Sequence, residues 1–232
     1  MDEKLLLEDT HNPSQIDEVT LQRALTTRFP SPILPNQNKL TKQEKIEFIA
    51  DRFRDIMEIL GLDLNDDSLQ RTPYRVAKMY VEEVFSGLDP ESFPRISFIE
   101  DRFQHGQRSN MVFVKVNFCS FCEHHFVPMD GTACVAYIPN GKLIGLSKIP
   151  RIVRFFARRP QVQERLTAQI ADSISLLTGS EHVAVSIYAK HHCMIARGIE
   201  SCDSHAVTNV LRGEFDTTPM LRKEFFDALD RS

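Results

Sequence analysis

The sequence predicts an α+β fold, with helices first and an antiparallel sheet after them, on three observations. From about residue 41 to 87, apolar residues recur at helical spacing. After about residue 108 the recurrence shortens to every second residue, the period of a strand with one buried face. Further helical stretches then separate later strands, so the helices are grouped against a sheet and do not alternate singly with parallel strands.

Residues 1–40 are weakly patterned and end in Pro30, Pro32 and Pro35, which reads as an N-terminal arm. Thr41 and Glu44 form a capping box, and Ile46, Ile49, Phe53, Ile56, Met57 and Leu60 continue a helix that Gly61 ends. Thr72 as N-cap and Pro73 in the first turn open a second helix, which runs through Val76, Met79, Tyr80 and Val84 to Gly87. Residues 111–117 and 132–138 read as strands. Pro139-Asn140-Gly141 is a tight turn, with 142–146 expected to return as a hairpin strand. Helices follow at 148–157 and from Pro160 to Gly179, the second with Val162, Leu166, Ile170, Ile174 and Leu177 on one face. Val183, Val185, Ile187 and Ala189 alternate in another strand, for which 193–199 is the expected partner; a final helix covers about 219–229. The chain divides into an arm (1–40), a helical region (41–108) and a main domain (109–232).

Composition narrows the function classes. At 232 residues, 42% hydrophobic and 26% charged, the chain can bury a substantial core. A net charge of −4 weighs against a nucleic-acid binder. No apolar run reaches the length of a membrane span, and the acidic Met1-Asp2-Glu3-Lys4 start is unlike a signal peptide. A cytoplasmic location is expected. Five cysteines in such a chain suit metal binding or burial better than a disulfide framework.

The chemistry gathers in two segments. Cys122 and His125 lie three apart in Phe121-Cys122-Glu123-His124-His125-Phe126, at a strand end, and Cys193 follows His191-His192 at another. Two thiolates and an imidazole suit Zn²⁺ and leave its fourth position open, the catalytic arrangement. Adding Cys119 instead makes a closed Cys₃His structural cage, and spacing alone does not separate the two readings. A redox CxxC is a weaker third, because no βαβ pattern surrounds it. His124 and His191, adjacent to the ligands but surplus to them, favour acid–base chemistry over a structural cage.

Between these segments lie Ser147 and Lys148, at a predicted helix N-terminus where free N–H groups favour an anion, with Arg151 one turn on. Arg197, four residues past Cys193, can join from another side. Arg154, Arg158 and Arg159 read as a solvated basic face. Glu164, in the first turn of the long helix, is either favourable capping electrostatics or an acceptor for a purine edge.

With Cys122-Glu123-His124-His125, Ile144-Gly145-Leu146-Ser147-Lys148, Arg159-Pro160-Gln161-Val162-Gln163-Glu164-Arg165-Leu166, His191-His192-Cys193, Ala196-Arg197-Gly198 and the stretch from Thr72 to Tyr80, the chain resembles GTP cyclohydrolase I. That resemblance implies conversion of GTP to 7,8-dihydroneopterin triphosphate and formate. It implies zinc on Cys122, His125 and Cys193, with Cys119 unused and a zinc-activated water adding at guanine C8. It implies His191 as the main proton donor and acceptor and His124 as its assistant. Glu164, with Gln163 and Ser147 nearby, would bind guanine, and Lys148, Arg151, Arg197 and a neighbouring subunit's Arg75 the triphosphate. It further implies the tunnelling fold (T-fold), whose subunits join their sheets into a barrel, and a homodecamer of two pentamers with sites at subunit interfaces. Two features depart from the family pattern: the CxxC made by Cys119, and a segment 201–213 poor in Ser and Thr, with His205-Ala206-Val207. A relative opening a different purine nucleotide is opposed by Glu164 and the Lys/Arg set. A non-enzymatic, zinc-stabilised oligomer is opposed by the paired histidines.

Overall fold

The computed structural model describes residues 31–33, 40–100, 111–200 and 204–231. The expected arm, except 31–33 and 40, lies outside the described residues, as do 101–110 and 201–203. Helix α1 (Lys42–Ile59) starts on the expected capping box: the Thr41 hydroxyl accepts from the Glu44 amide, and the Glu44 carboxylate accepts from the Thr41 amide at 2.7 Å. It stops at Leu60, with Gly61 at φ +80°.

Helix α2 (Thr72–Lys78) departs from expectation at both ends. Its N-cap is Arg71, and Thr72 is already helical. At Met79 the helix widens into a π-helical turn, Met79–Val84, and does not run as α-helix to Gly87. The i→i+5 register brings the Tyr80 and Phe85 rings to 5.1 Å, where both can pack onto the loop after the next long strand.

Strands β1 (Phe98–Glu100), β2 (Val112–Cys122), β3 (Pro128–Tyr137) and β4 (Lys142–Ile144) come next. The expected hairpin of 142–146 on 132–138 does not form. Both edges of β3 are occupied, by β2 and by a later strand, so β4 pairs with β1 in a separate two-stranded sheet. Helix α3 (Lys148–Ala157) has the expected bounds. Pro160–Gln161 then forms β5, parallel to the end of β2, which delays helix α4 to Gln163–Thr178; Gly179 closes it at φ +67°.

Strand β6 (Val183–His191) leads directly into a helical turn, α5 (His192–Ile195). The expectation of a strand at 193–199 is therefore overturned, and the partner of β6 is β7 (His205–Leu211). Helices α6 (Glu214–Thr217) and α7 (Pro219–Arg231) end the chain.

The main sheet runs β5-β2-β3-β6-β7, antiparallel except for the short β2–β5 pair. Alternation puts Val116, Phe118, Ala133, Val135, Val185 and Ile187 on the face covered by α3 and α4, against Ile149, Ile152, Phe156, Leu166, Ile170 and Ile174. Each of these side chains larger than alanine, fully buried, contributes about 1.5–3 kcal/mol. Helix α7 packs Leu221 and Phe225 around Ala136, Ala184 and Phe215. The fold is α+β, with its main helices on one face of the sheet.

Candidate metal centre

Cys122 is the last residue of β2. Its amide donates to the Val127 carbonyl and its carbonyl accepts from the Phe126 amide, both at 2.9 Å, which closes a tight loop. The closure needs Phe126 at φ +50°, a left-handed conformation that costs a residue with a Cβ roughly 1–2 kcal/mol. Ring contacts hold it there: Phe126 lies 5.4 Å from Phe85 and 6.5 Å from Tyr80. Glu123 ties the same loop to α4 through a bidentate pair with Arg165, at 2.5 and 3.1 Å.

Register brings the second half of the site to this loop. Phe121 pairs with Pro128 and Met129 with His191, so the end of β6 and α5 lie beside the Cys122 end of β2. The donor atoms of Cys122, His125 and Cys193 all lie within 4.8 Å of one another. Cys119 does not join them. Three positions apart on one strand are opposite faces, and Cys119 faces away from the core while Cys122 is buried. The donor set is thus three residues, not the closed Cys₃His cage. Burial, and next the adjacent Cys122, push the Cys193 thiol up.

Around the donors, His191 is half-buried and its Nε2 lies 2.7 Å from Oε1 of Gln163. Gln163 is 2% exposed, and its amide nitrogen donates to the carbonyls of Ile187 and Ala206, each at 3.0 Å, and to the Thr208 hydroxyl at 3.2 Å. The two carbonyls fix which end of the amide is nitrogen, so the oxygen faces His191. His191 therefore carries its proton on Nε2 and leaves Nδ1 as an acceptor. Burial lowers the His191 pKa, while the nearby Glu164 carboxylate acts in the opposite direction.

His124 is exposed, with Nδ1 3.7 Å from the Cys122 sulfur. Arg197 donates from Nη1 to His125 Nε2 at 2.8 Å. Of the expected site residues, the structure gathers Cys122, His125, Cys193, His124, His191, Gln163, Glu164 and Arg197 at this end of the sheet.

It does not bring Ser147, Lys148 and Arg151 there. The Ile144 amide donates to the Tyr137 hydroxyl, and Lys148 follows by a turn from Gly145. Tyr137 is nine residues from Pro128 along β3, roughly 30 Å at about 3.3 Å per residue. Ser147 does occupy the N-cap position of α3, with its side chain exposed. Arg75 is exposed on α2. Sequence reasoning missed the Glu123–Arg165 pair and the Gln163 network, whose partners lie 24 to 45 residues apart with no local spacing to mark them. His192, paired with Asp130 at 2.7 Å, was likewise unmarked.

Comparison with known proteins is concordant. The family model described as GTP cyclohydrolase I matches residues 49–230. The GTP cyclohydrolase 1 of Vibrio vulnificus is 50% identical over 211 residues, covering 90% of this chain and 95% of that protein. The Aeromonas salmonicida protein of the same name is 53% identical over 193 residues, 83% of this chain and 87% of its own. The one from Vibrio cholerae is 52% identical over 200 residues, covering 86% and 90%. Among solved structures, an archaeosine synthase QueF-like protein in its apo form aligns with a TM-score of 0.40 at 15% identity, over 46% of this chain and 97% of that one, too distant to bear on the site.

Proposed function

The chain belongs to the GTP cyclohydrolase I family, and from that premise we propose that Cys122, His125 and Cys193 hold a zinc ion at which the guanine ring of GTP is opened. The activity is that of the family: hydrolysis of the imidazole ring of GTP with loss of formate, then reclosure to 7,8-dihydroneopterin triphosphate. The observation that carries the metal reading is three soft and borderline donors within 4.8 Å of one another, beside a histidine whose tautomer is fixed. Two cysteines and one histidine suit zinc and leave it an open position. When bound, the ion supplies Lewis acidity and polarises a water for addition at guanine C8.

The remaining steps fall to side chains of this chain. His191, held by Gln163 with Nδ1 free, gives and takes the proton at guanine N7. Burial, which lowers its pKa, favours the neutral imidazole that accepts a proton, while the Glu164 carboxylate works in the opposite direction, toward the protonated form. His124, exposed beside Cys122, assists at the ribose and the opened ring. Glu164 accepts from the guanine edge, with Gln163 behind it. Arg197 holds phosphate oxygens next to His125.

Lys148 and Arg151 also serve the triphosphate, and Ser147 the guanine, but for a metal centre of another subunit. Their separation from the metal loop along β3 supports this reading, because one subunit's α3 N-terminus cannot reach its own Cys122. Arg75 is likewise contributed across an interface. We read the assembly as a homodecamer of two pentamers, in which sheets join edge to edge as a T-fold barrel. Among the described residues no helix is long and apolar enough to cross a membrane. The paired thiols of the site fit the reducing cytoplasm.

The test is to incubate metal-quantified protein with GTP while following dihydropterin absorbance and formate together. Both products are expected, lost on chelation and restored by zinc. Neither product from folded, zinc-loaded protein would sink the reading.

A further inference from the structure

We propose, on the reading of Cys122, His125 and Cys193 as zinc ligands, that the contact between His192 and Asp130 is a positioning device. It pins the turn that carries Cys193 and so sets how tightly the ion is held. Asp130 lies on β3 directly across from Lys190 of β6, and His192 Nε2 comes within 2.7 Å of its Oδ1. The ring nitrogen donates and the carboxylate accepts. Lys190, the nearest cation by register, forms no ion pair among the described residues, which leaves His192 as the partner of Asp130.

The turn needs support from outside itself. Helix α5 has four residues and no side-chain bond at its N-cap, and the Ala196 amide bonds back to the His192 carbonyl at 2.9 Å. A single turn fixes several backbone dihedrals for very few hydrogen bonds and is not stable alone. Support comes from both faces of the sheet. His191 pairs in register with the buried Met129 and is held by Gln163 on the face that the helices cover. Asp130, next along β3, is on the opposite face and takes hold of His192 from there. The chain is thus gripped at two successive residues immediately before Cys193.

The base of this grip is rigid. At Gly131, next to Asp130, a Cβ would stand 2.1 Å from the Tyr188 carbonyl oxygen and 2.6 Å from the Ala189 Cα, so only glycine lets β3 and β6 meet this closely. The pair itself is open to solvent, with side chains 41% exposed at His192 and 51% at Asp130. Exposed pairs add little to global stability, so the effect of this one falls on the local placement of Cys193.

The test measures zinc affinity by competition with a chromogenic chelator, on full-length wild type, Asp130→Ala, Asp130→Asn, His192→Phe and the double variant Asp130→Ala/His192→Phe. Circular dichroism and urea midpoints close to wild type check that the fold is kept. Asp130→Ala and His192→Phe should each bind zinc about tenfold more weakly, and the double variant no more weakly than either, because both remove one contact. Asp130→Asn, whose amide oxygen still accepts from Nε2, should recover most of the affinity. In cobalt-substituted protein the d–d absorption bands of Asp130→Ala should shift from those of wild type, a change in ligand geometry that lost stability alone does not produce. Wild-type affinity and an unchanged cobalt spectrum in Asp130→Ala would overturn the proposal, as would losses that add in the double variant. A fall in kcat at unaltered zinc affinity would also overturn it, since the contact would then serve His191. A wild type that binds no zinc would remove the metal reading itself, and the positioning role with it.

Discussion

Replacing Gln163 with leucine separates the two roles open to this residue, contact with guanine and orientation of His191. Leucine keeps most of the volume but removes every polar contact of the amide: donors to Ile187, Ala206 and Thr208, and the acceptor for His191. Thr208 keeps Thr167 as a partner at 2.6 Å, so the loss falls chiefly on two carbonyls and the imidazole. At about 1–2 kcal/mol for each of these three buried groups left unpaired, less the roughly 1.5–3 kcal/mol that leucine gains by burial, the fold should lose roughly 1.5–3 kcal/mol. Urea unfolding reads that loss.

The effect on catalysis is distinct. Without an acceptor at Nε2, His191 can flip or exchange tautomers, and an unfixed proton donor costs about 1.5–3 kcal/mol in the transition state. That is roughly 10- to 150-fold in kcat, with KM for GTP little changed. The assay is steady-state dihydropterin formation on protein shown to be folded and zinc-loaded. A folded Gln163→Leu enzyme with kcat within about twofold of wild type would refute the orienting role. A change confined to KM would mean that the amide serves guanine instead.

Three further outcomes follow from the same contacts. Glu123→Ala removes the bidentate pair with Arg165 that ties the metal loop to α4, so zinc affinity should fall about 10-fold or more in competition with a chromogenic chelator. Cys119→Ser should leave zinc content and kcat unchanged, because that side chain is on the opposite face from Cys122; loss of zinc on elemental analysis would restore the closed cage. Glu44 is held below the usual glutamate range by hydrogen bonds from the Thr41 amide and hydroxyl. Its capping contribution is therefore complete above about pH 4.3 and is lost as pH falls through the lowered folded value. Glu44→Gln should flatten the acid limb of the stability profile measured by urea unfolding.

The cluster of candidate metal donors was legible because its signal is local. Cys122 and His125 sit three apart, and Cys193 follows its own histidine pair, so side-chain chemistry and spacing identify them without the fold. Helix α3 was legible for the same reason, its buried Ile149, Ile152, Val153 and Phe156 alternating with exposed arginines. Features decided by distant partners were not. Pro160 reads as a first helical residue, yet it is drawn into a strand by Phe121. Residues 142–144 follow a strong turn, yet β6 already holds the edge of β3 they would need. Met194 and Ile195 suggest a continuing strand, but the chain turns helically there and carries Cys193 to the Cys122 loop. The choice between an open and a closed site rested on which way Cys119 points, which spacing leaves undecided until β2 is known to run through to Cys122.

The most direct measurement is zinc per chain and product formation, determined on the same preparations of wild type, Cys122→Ala, His125→Ala, Cys193→Ala and His191→Ala. Wild type should carry about one zinc per chain and release formate with dihydroneopterin triphosphate. The three ligand variants should lose zinc and both products together, while His191→Ala should keep its zinc, stay folded and be inactive. Ligand variants that still turn over GTP after losing zinc would contradict a catalytic metal at Cys122, His125 and Cys193.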